Sequence, residues 1–199
     1  MRAVIISGGT ISDYQYTKSL IKPEDVIICV DGGYNHALCM GLVPGVLIGD
    51  LDSIGEKPLN VPIIQYPTSK DFTDTEIALN YAKDKGYEDI LLLGGLGTRL
   101  DHTLANILLL INFRNTTIVN EYNKIRIGSE IELEEAEGTF VSLIPLGVCS
   151  GIYTQNLKYP LENATMEAGY GIGISNVMTA SKAKVTVAKG DMLVVVAKD

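Results

Sequence analysis

Tryptophan is absent from this chain, histidine occurs twice, and cysteine three times in 199 residues. Cys29, Cys39 and Cys149 have neither the paired spacing of a metal site nor the even number of a disulfide framework. Cys29 lies in an apolar run and is expected in the core. Long apolar runs are missing as well. The longest, Leu104 to Ile111, is broken by Asn106 and falls short of the ~18 residues of a membrane span. Met1-Arg2-Ala3-Val4-Ile5-Ile6 passes at once into Ser7-Gly8-Gly9, too short for a secretion signal. Lys and Arg nowhere cluster, and a net charge of −8 argues against a nucleic-acid partner, which would need a basic face. These absences point to a reducing cytoplasm, with no membrane and no nucleic acid. The P-loop spacing Gly-x-x-x-x-Gly-Lys and the full Gly-x-Gly-x-x-Gly are also lacking, so Ser7-Gly8-Gly9-Thr10 is only a weak phosphate signal, through its backbone N–H groups.

What is present is an ordinary globular composition, 46% hydrophobic and 20% charged, long enough for one large or two small domains. Short apolar runs predict strands at Ala3–Ile6, Val26–Val30, Val46–Ile48, Ile63–Tyr66, Ile90–Leu93 and Thr117–Val119. Helical segments are expected between them at Tyr34–Met40, Asp74–Lys85 and Thr103–Phe113. The second of these opens on a capping box, Thr73 with Glu76, and stops at Gly86. Alternating strands and helices predict an open, mostly parallel α/β sheet over residues 1–120. From 121 to 199 the pattern changes to short strands broken by Gly and Pro: Lys124–Ile127, Thr139–Ile144, Lys184–Ala188 and Met192–Ala197. That stretch predicts a smaller C-terminal antiparallel β-domain, a sandwich or a barrel.

The chemistry gathers after the strands. Gly49-Asp50-Leu51-Asp52-Ser53 places two carboxylates two residues apart, which in extended chain project to one side. Such a pair suits Mg²⁺, a hard ion that takes oxygen ligands and holds phosphates, although a polar turn would read the same way. Asp31, Asp71 and the loop Gly94–His102 also follow strands, and ligands of open α/β sheets bind beyond the carboxyl ends of strands. Asp50, Asp52 and Asp71 could share metal ions that bridge phosphate oxygens, and Arg99 could clasp a phosphate through its planar fork. His102 fits a structural role as well as a catalytic one. No Ser or Cys sits in a triad-like setting.

Four motifs in order, Asp31-Gly32-Gly33, Gly49-Asp50-Leu51-Asp52-Ser53, Lys70-Asp71-Phe72-Thr73-Asp74 and Gly94-Gly95-(x)3-Arg99-Leu100-Asp101-His102, resemble those of thiamine pyrophosphokinases, as does the later Ser175-Asn176. The resemblance implies an N-terminal α/β domain that binds Mg–ATP and a C-terminal β-sandwich domain that binds thiamine. It further implies a homodimer with thiamine at the subunit interface, and transfer of an intact pyrophosphoryl group that releases AMP. It assigns Asp50, Asp52 and Asp71 to metal and catalysis, with Asp101 as a further catalytic carboxylate. ATP would lie against Asp31, Gly32, Thr73, Asp74, Arg99 and His102, and thiamine against Ser175, Asn176 and Asp74. With no Trp, an aromatic partner for thiamine must be Tyr or Phe. Asp71 or Asp101 could take the hydroxyl proton. A metal-dependent sugar-nucleotide glycosyltransferase uses a similar Asp-x-Asp, and a nucleotide- or thiamine-sensing module would keep the pocket without turnover.

Overall fold

The computed structural model describes residues 1–51, 54, 60–67 and 71–198. The chain divides into two compact units, Met1–Glu121 and Tyr122–Asp199.

The first unit has strands β1 (Arg2–Ile6), β2 (Val26–Val30), β3 (Val46–Gly49), β4 (Ile63–Gln65), β5 (Asp89–Leu93) and β6 (Thr116–Val119), in the order β6-β5-β1-β2-β3-β4. Every pairing among them is parallel. Helices α1 (Tyr14–Ser19), α2 (Gly33–Cys39), α3 (Asp74–Asp84) and α4 (Leu100–Leu109) connect them. Parallel strands covered on both faces need unbroken apolar runs, and Ile5, Ile28, Ile48, Leu92 and Ile118 are all fully buried. The alternate residues Val4, Ile6, Cys29, Leu47 and Leu93 pack with Tyr34 and Ala37 of α2 and with Met40 at its C-terminal cap. On α3, Ile77, Ala78, Leu79 and Ala82 are buried, the Ile and Leu side chains each worth about 1.5–3 kcal/mol against exposure. The chain proceeds from β1 outward to β4, then returns to place β5 on the other side of β1. The sheet therefore reverses its winding between β1 and β5, where an open α/β sheet leaves a crevice.

The second unit is a sandwich of two antiparallel sheets. One has the order β12 (Asn176–Val177), β9 (Phe140–Pro145), β14 (Met192–Ala197), β7 (Asn123–Ile127). The other has β11 (Ala164–Glu167), β10 (Val148–Gln155), β13 (Lys182–Lys189), β8 (Glu130–Glu134). Alternation supplies the core: Ile131, Leu133, Val141, Leu143, Ile152, Val185, Val187, Val194 and Val196 interdigitate. The expected α/β sheet followed by an antiparallel sandwich is what the chain forms.

Two helix boundaries moved. The third predicted helix begins at Leu100 rather than Thr103, so Asp101 and His102 occupy its first turn, where the helix dipole favours a carboxylate. It also ends early, because Leu110, Ile111 and Asn112 donate to carbonyls three residues back and tighten the chain into a turn. The short α1 was not anticipated; Asp13 caps it by accepting from the Tyr16 N–H.

Candidate active site

At the crevice between β1 and β5 the first unit holds a pocket of about 530 Å³. Its floor is mostly backbone. Ser7–Thr10 follow β1, Asp31-Gly32 follow β2, and Gly94–Arg99 follow β5; Thr73–Thr75 begin α3, and His102 and Asn106 come from α4. The three loops touch without side chains between them. A Cβ on Gly9 would overlap the carbonyl oxygens of Gly94 and Leu96, and one on Gly33 would overlap that of Ile6. Gly94 itself has φ +62, open to glycine at no steric cost.

This contact changes the reading of the first glycine turn. The Gly9 and Thr10 N–H groups donate to the carbonyls of Gly94 and Leu96 at 2.8 and 2.9 Å. Those two donors are committed to joining loops, so the phosphate role first considered for this turn does not pass to them.

The acidic pole is strained. Asp31 has φ 41 and Leu51 has φ 68, both in the left-handed region that non-glycine residues rarely adopt. The Leu51 N–H lies 3.3 Å from Asp31 Oδ1, and Gly49 leaves the room that the carboxylate fills. Burial, with the charges of Asp74 and Asp50, pushes the Asp31 carboxyl up to about 6. Asp50, Asp31 and Asp74 thus form one crowded neighbourhood. The residue between Asp50 and Asp52 is not extended, contrary to the geometry assumed from the spacing; Asp52 itself lies outside the described residues. Asp71 is exposed, two residues before Thr73, whose hydroxyl accepts the Glu76 N–H and caps α3.

Arg99 and Asp101 face each other. Arg99 Nε is 3.2 Å from Oδ1 and Nη2 is 2.6 Å from Oδ2, with both side chains well exposed. The guanidinium bonds, with the His102 backbone N–H, hold the Asp101 carboxyl down at about 2. Arg99 and His102 wall the pocket; among the described residues Asp50, Asp71 and Asp101 do not.

No three His, Cys, Asp or Glu side chains converge as a metal site among the described residues. The donor chemistry nevertheless fits a hard divalent cation: a carboxyl pushed up to about 6 by burial and by neighbouring carboxylates is one whose ionised form a bound cation would stabilise.

The family model described as "Thiamin pyrophosphokinase, catalytic domain" matches residues 17–120, and "Thiamin pyrophosphokinase, vitamin B1 binding domain" matches residues 128–191. A thiamine pyrophosphokinase of Bacillus subtilis (strain 168) is 31% identical, over 98% of this chain and 98% of the relative. The chain belongs to the thiamin pyrophosphokinase family. The thiamine pyrophosphokinase 1 of Oryza sativa subsp. japonica is 29% identical over 80% of this chain and 74% of its own. Among solved structures, the Bacillus subtilis thiamine pyrophosphokinase superposes with a TM-score of 0.90 at 26% identity, covering all of both chains. The thiamin pyrophosphokinase of Geobacillus thermodenitrificans gives 0.89 at 26% identity, over 100% of this chain and 98% of that one.

In the second unit, the pair expected to meet thiamine divides into two roles. Asn176 is buried, and its amide is spent on the backbone: Oδ1 accepts from the Tyr159 and Val177 N–H groups, and Nδ2 donates to the Tyr159 carbonyl at 2.8 Å. Ser175 is exposed, with φ 57, and its N–H donates to the Ser142 hydroxyl. Asn176 therefore shapes the segment at Tyr159, while Ser175 faces outward.

Three features in or beside the pocket of this thiamin pyrophosphokinase family member escaped the sequence reading. Ser7 and Thr75 hydroxyls lie 3.1 Å apart and tie the β1 loop to α3. Asn106 is buried and donates to the Gly95 carbonyl at 2.7 Å. The signal for it was visible, a lone amide inside the apolar stretch Leu104–Ile111, but it was read only as an interruption. His36 is the third.

Proposed function

We propose that this chain transfers the pyrophosphoryl group of ATP to thiamine, giving thiamine diphosphate and AMP, with Mg²⁺ as its metal. Membership of the thiamin pyrophosphokinase family over both units carries this reading. The glycine-floored pocket at the winding reversal of the sheet supports it.

ATP occupies that pocket, its adenosine and phosphates lying against Asp31, Gly32, Thr73, Asp74, Arg99 and His102. Asp50, Asp52 and Asp71 hold Mg²⁺, which when bound screens the phosphate oxygens. Thiamine meets Ser175 and Asp74, with Asn176 fixing the neighbouring backbone. The thiamine hydroxyl oxygen bonds to the β-phosphorus in line with the bridging oxygen that leaves on AMP, and its proton passes to a carboxylate. Asp71 or Asp101 is that carboxylate; Arg99 holds Asp101 down at about 2 while the two are paired, and frees it on turning away. When Arg99 turns to the phosphates its fork matches their oxygens two at a time.

The chain acts as a homodimer with thiamine between subunits. Supporting this, α4 exposes a stripe of Leu100, Leu104 and Leu108, each at least half exposed, and the second unit exposes Tyr170, Ile172 and Ile174 on the loop before β12.

Purified protein given ATP and Mg²⁺ should release AMP only when thiamine is added, with matching thiamine diphosphate. ADP in place of AMP would place the attack at the γ-phosphorus and overturn the reading.

A further inference from the structure

His36, on α2, has no part in the chemistry assigned above. Its Nε2 lies 2.8 Å from the Gly9 carbonyl oxygen and its Nδ1 2.8 Å from the Tyr14 hydroxyl. A carbonyl oxygen only accepts, so Nε2 carries a proton. In the neutral ring Nδ1 is then the acceptor and Tyr14 the donor. The two rings stand 5.7 Å apart, tilted by 47°. Burial, and then the neighbouring Cys39, push the Tyr14 phenol up, so it keeps the proton it donates.

Gly9 walls the pocket and His36 does not. The Gly9 carbonyl is thus turned toward α2, and its lone pairs are engaged by the imidazole. This matters because a polyphosphate is drawn to N–H groups and repelled by carbonyl oxygens. Close loop packing demands glycine at position 9, yet glycine is the residue whose peptide turns over most freely. The Gly9–Thr10 peptide is gripped at both ends, by His36 at its oxygen and by the Leu96 carbonyl at its nitrogen. Without His36 only one grip remains.

We propose that His36, held in one tautomer by Tyr14, is a positioning residue of the nucleotide pocket that keeps the Gly9 carbonyl turned away from the phosphates. The proposal rests on the reading of this pocket as the ATP site. The test is Mg–ATP binding by calorimetry, with steady-state kinetics, on full-length wild type, His36→Leu, His36→Gln and Tyr14→Phe. Glutamine retains an N–H donor within reach of Gly9 and lacks the ring. His36→Leu should raise Kd and KM for ATP about three- to tenfold, the worth of one hydrogen bond, leaving KM for thiamine unmoved. His36→Gln should recover most of the loss, and Tyr14→Phe should lie between. Unchanged ATP affinity in His36→Leu, a Gln variant no better than Leu, or thiamine KM moving in parallel would overturn the proposal. Should His36→Leu fail to fold, the other two variants decide it: an ATP-specific shift in Tyr14→Phe supports it, and no shift overturns it. Wild type that does not bind Mg–ATP overturns the nucleotide reading of the pocket, and this proposal with it.

Discussion

Asp50 carries the sharpest consequence of any single side chain. Asp50→Asn keeps the size and removes the charge, so turnover should fall by about a hundredfold or more, while the urea midpoint stays near that of wild type. Full activity would remove the acidic pair from the mechanism. A pH effect belongs to Arg2 and Asp25, far from the chemistry. Arg2 Nη2 meets Asp25 Oδ2 at 2.6 Å, with the Asp25 side chain 1% exposed and that of Arg2 21%. Burial acts to raise the Asp25 carboxyl, but Arg2 and the Lys22 N–H outweigh it and hold it below the ordinary 3.8. The stabilisation is therefore full above the ordinary carboxylate range and is lost as pH falls through the lower folded value. Asp25→Asn should cost about 2–3 kcal/mol at pH 7, less than the roughly 3–5 of a fully buried pair because Arg2 is partly wet. The difference from wild type should shrink as pH falls below the ordinary carboxylate range, as urea unfolding at pH 7 and in acid would show. What the sequence could not convey about such residues is backbone handedness. Asp31, Leu51 and Ser175 all sit at positive φ, and no residue type announces that.

The secondary elements were readable where a physical period or an unbroken run was present. Val26–Val30 and Met192–Ala197 match residue for residue, since one is a buried parallel strand and the other a fully paired antiparallel one. β8 was missed because Glu130–Glu134 lies in a glutamate-rich stretch with good helix formers; pairing to β13 overrides that propensity. β10 was missed because Gly151, at φ 64, interrupts it at an irregularity in its pairing with β11. At the start of α2, Gly33→Ala would drive a methyl into the Ile6 carbonyl. The helix must then move off β1, and a loss of roughly 2–4 kcal/mol is expected, in the range of overpacked or strained sites. A chemical-denaturation midpoint within error of wild type would contradict that packing argument.

For the whole molecule, composition and element order were enough to predict an α/β unit followed by an antiparallel β-domain, because patterning sets fold class; the choice of sandwich over barrel came from the family resemblance. The candidate site was less accessible. Its acidic residues were named, but the loop-to-loop backbone contacts, and the buried Asn106 amide that bonds the Gly95 carbonyl, are set by tertiary approach. Assembly is the level at which the exposed α4 stripe should act. Leu104→Glu places a charge in its middle, and sedimentation should show wild type at twice the chain mass and the variant at the chain mass. Thiamine-dependent turnover should fall with it while Mg–ATP binding persists. A variant that remains dimeric would assign the interface to another surface.

The loop junction beneath the pocket has a consequence for isotope exchange. The Gly9 and Thr10 amides are already bonded to Gly94 and Leu96, so their deuterium uptake tracks whether the two loops stay joined, independently of any occupant. Slow uptake there with faster uptake elsewhere around the pocket would separate a site that is open and intact from one that has come apart. The chain thus carries an internal reference against which protection by a nucleotide can be read.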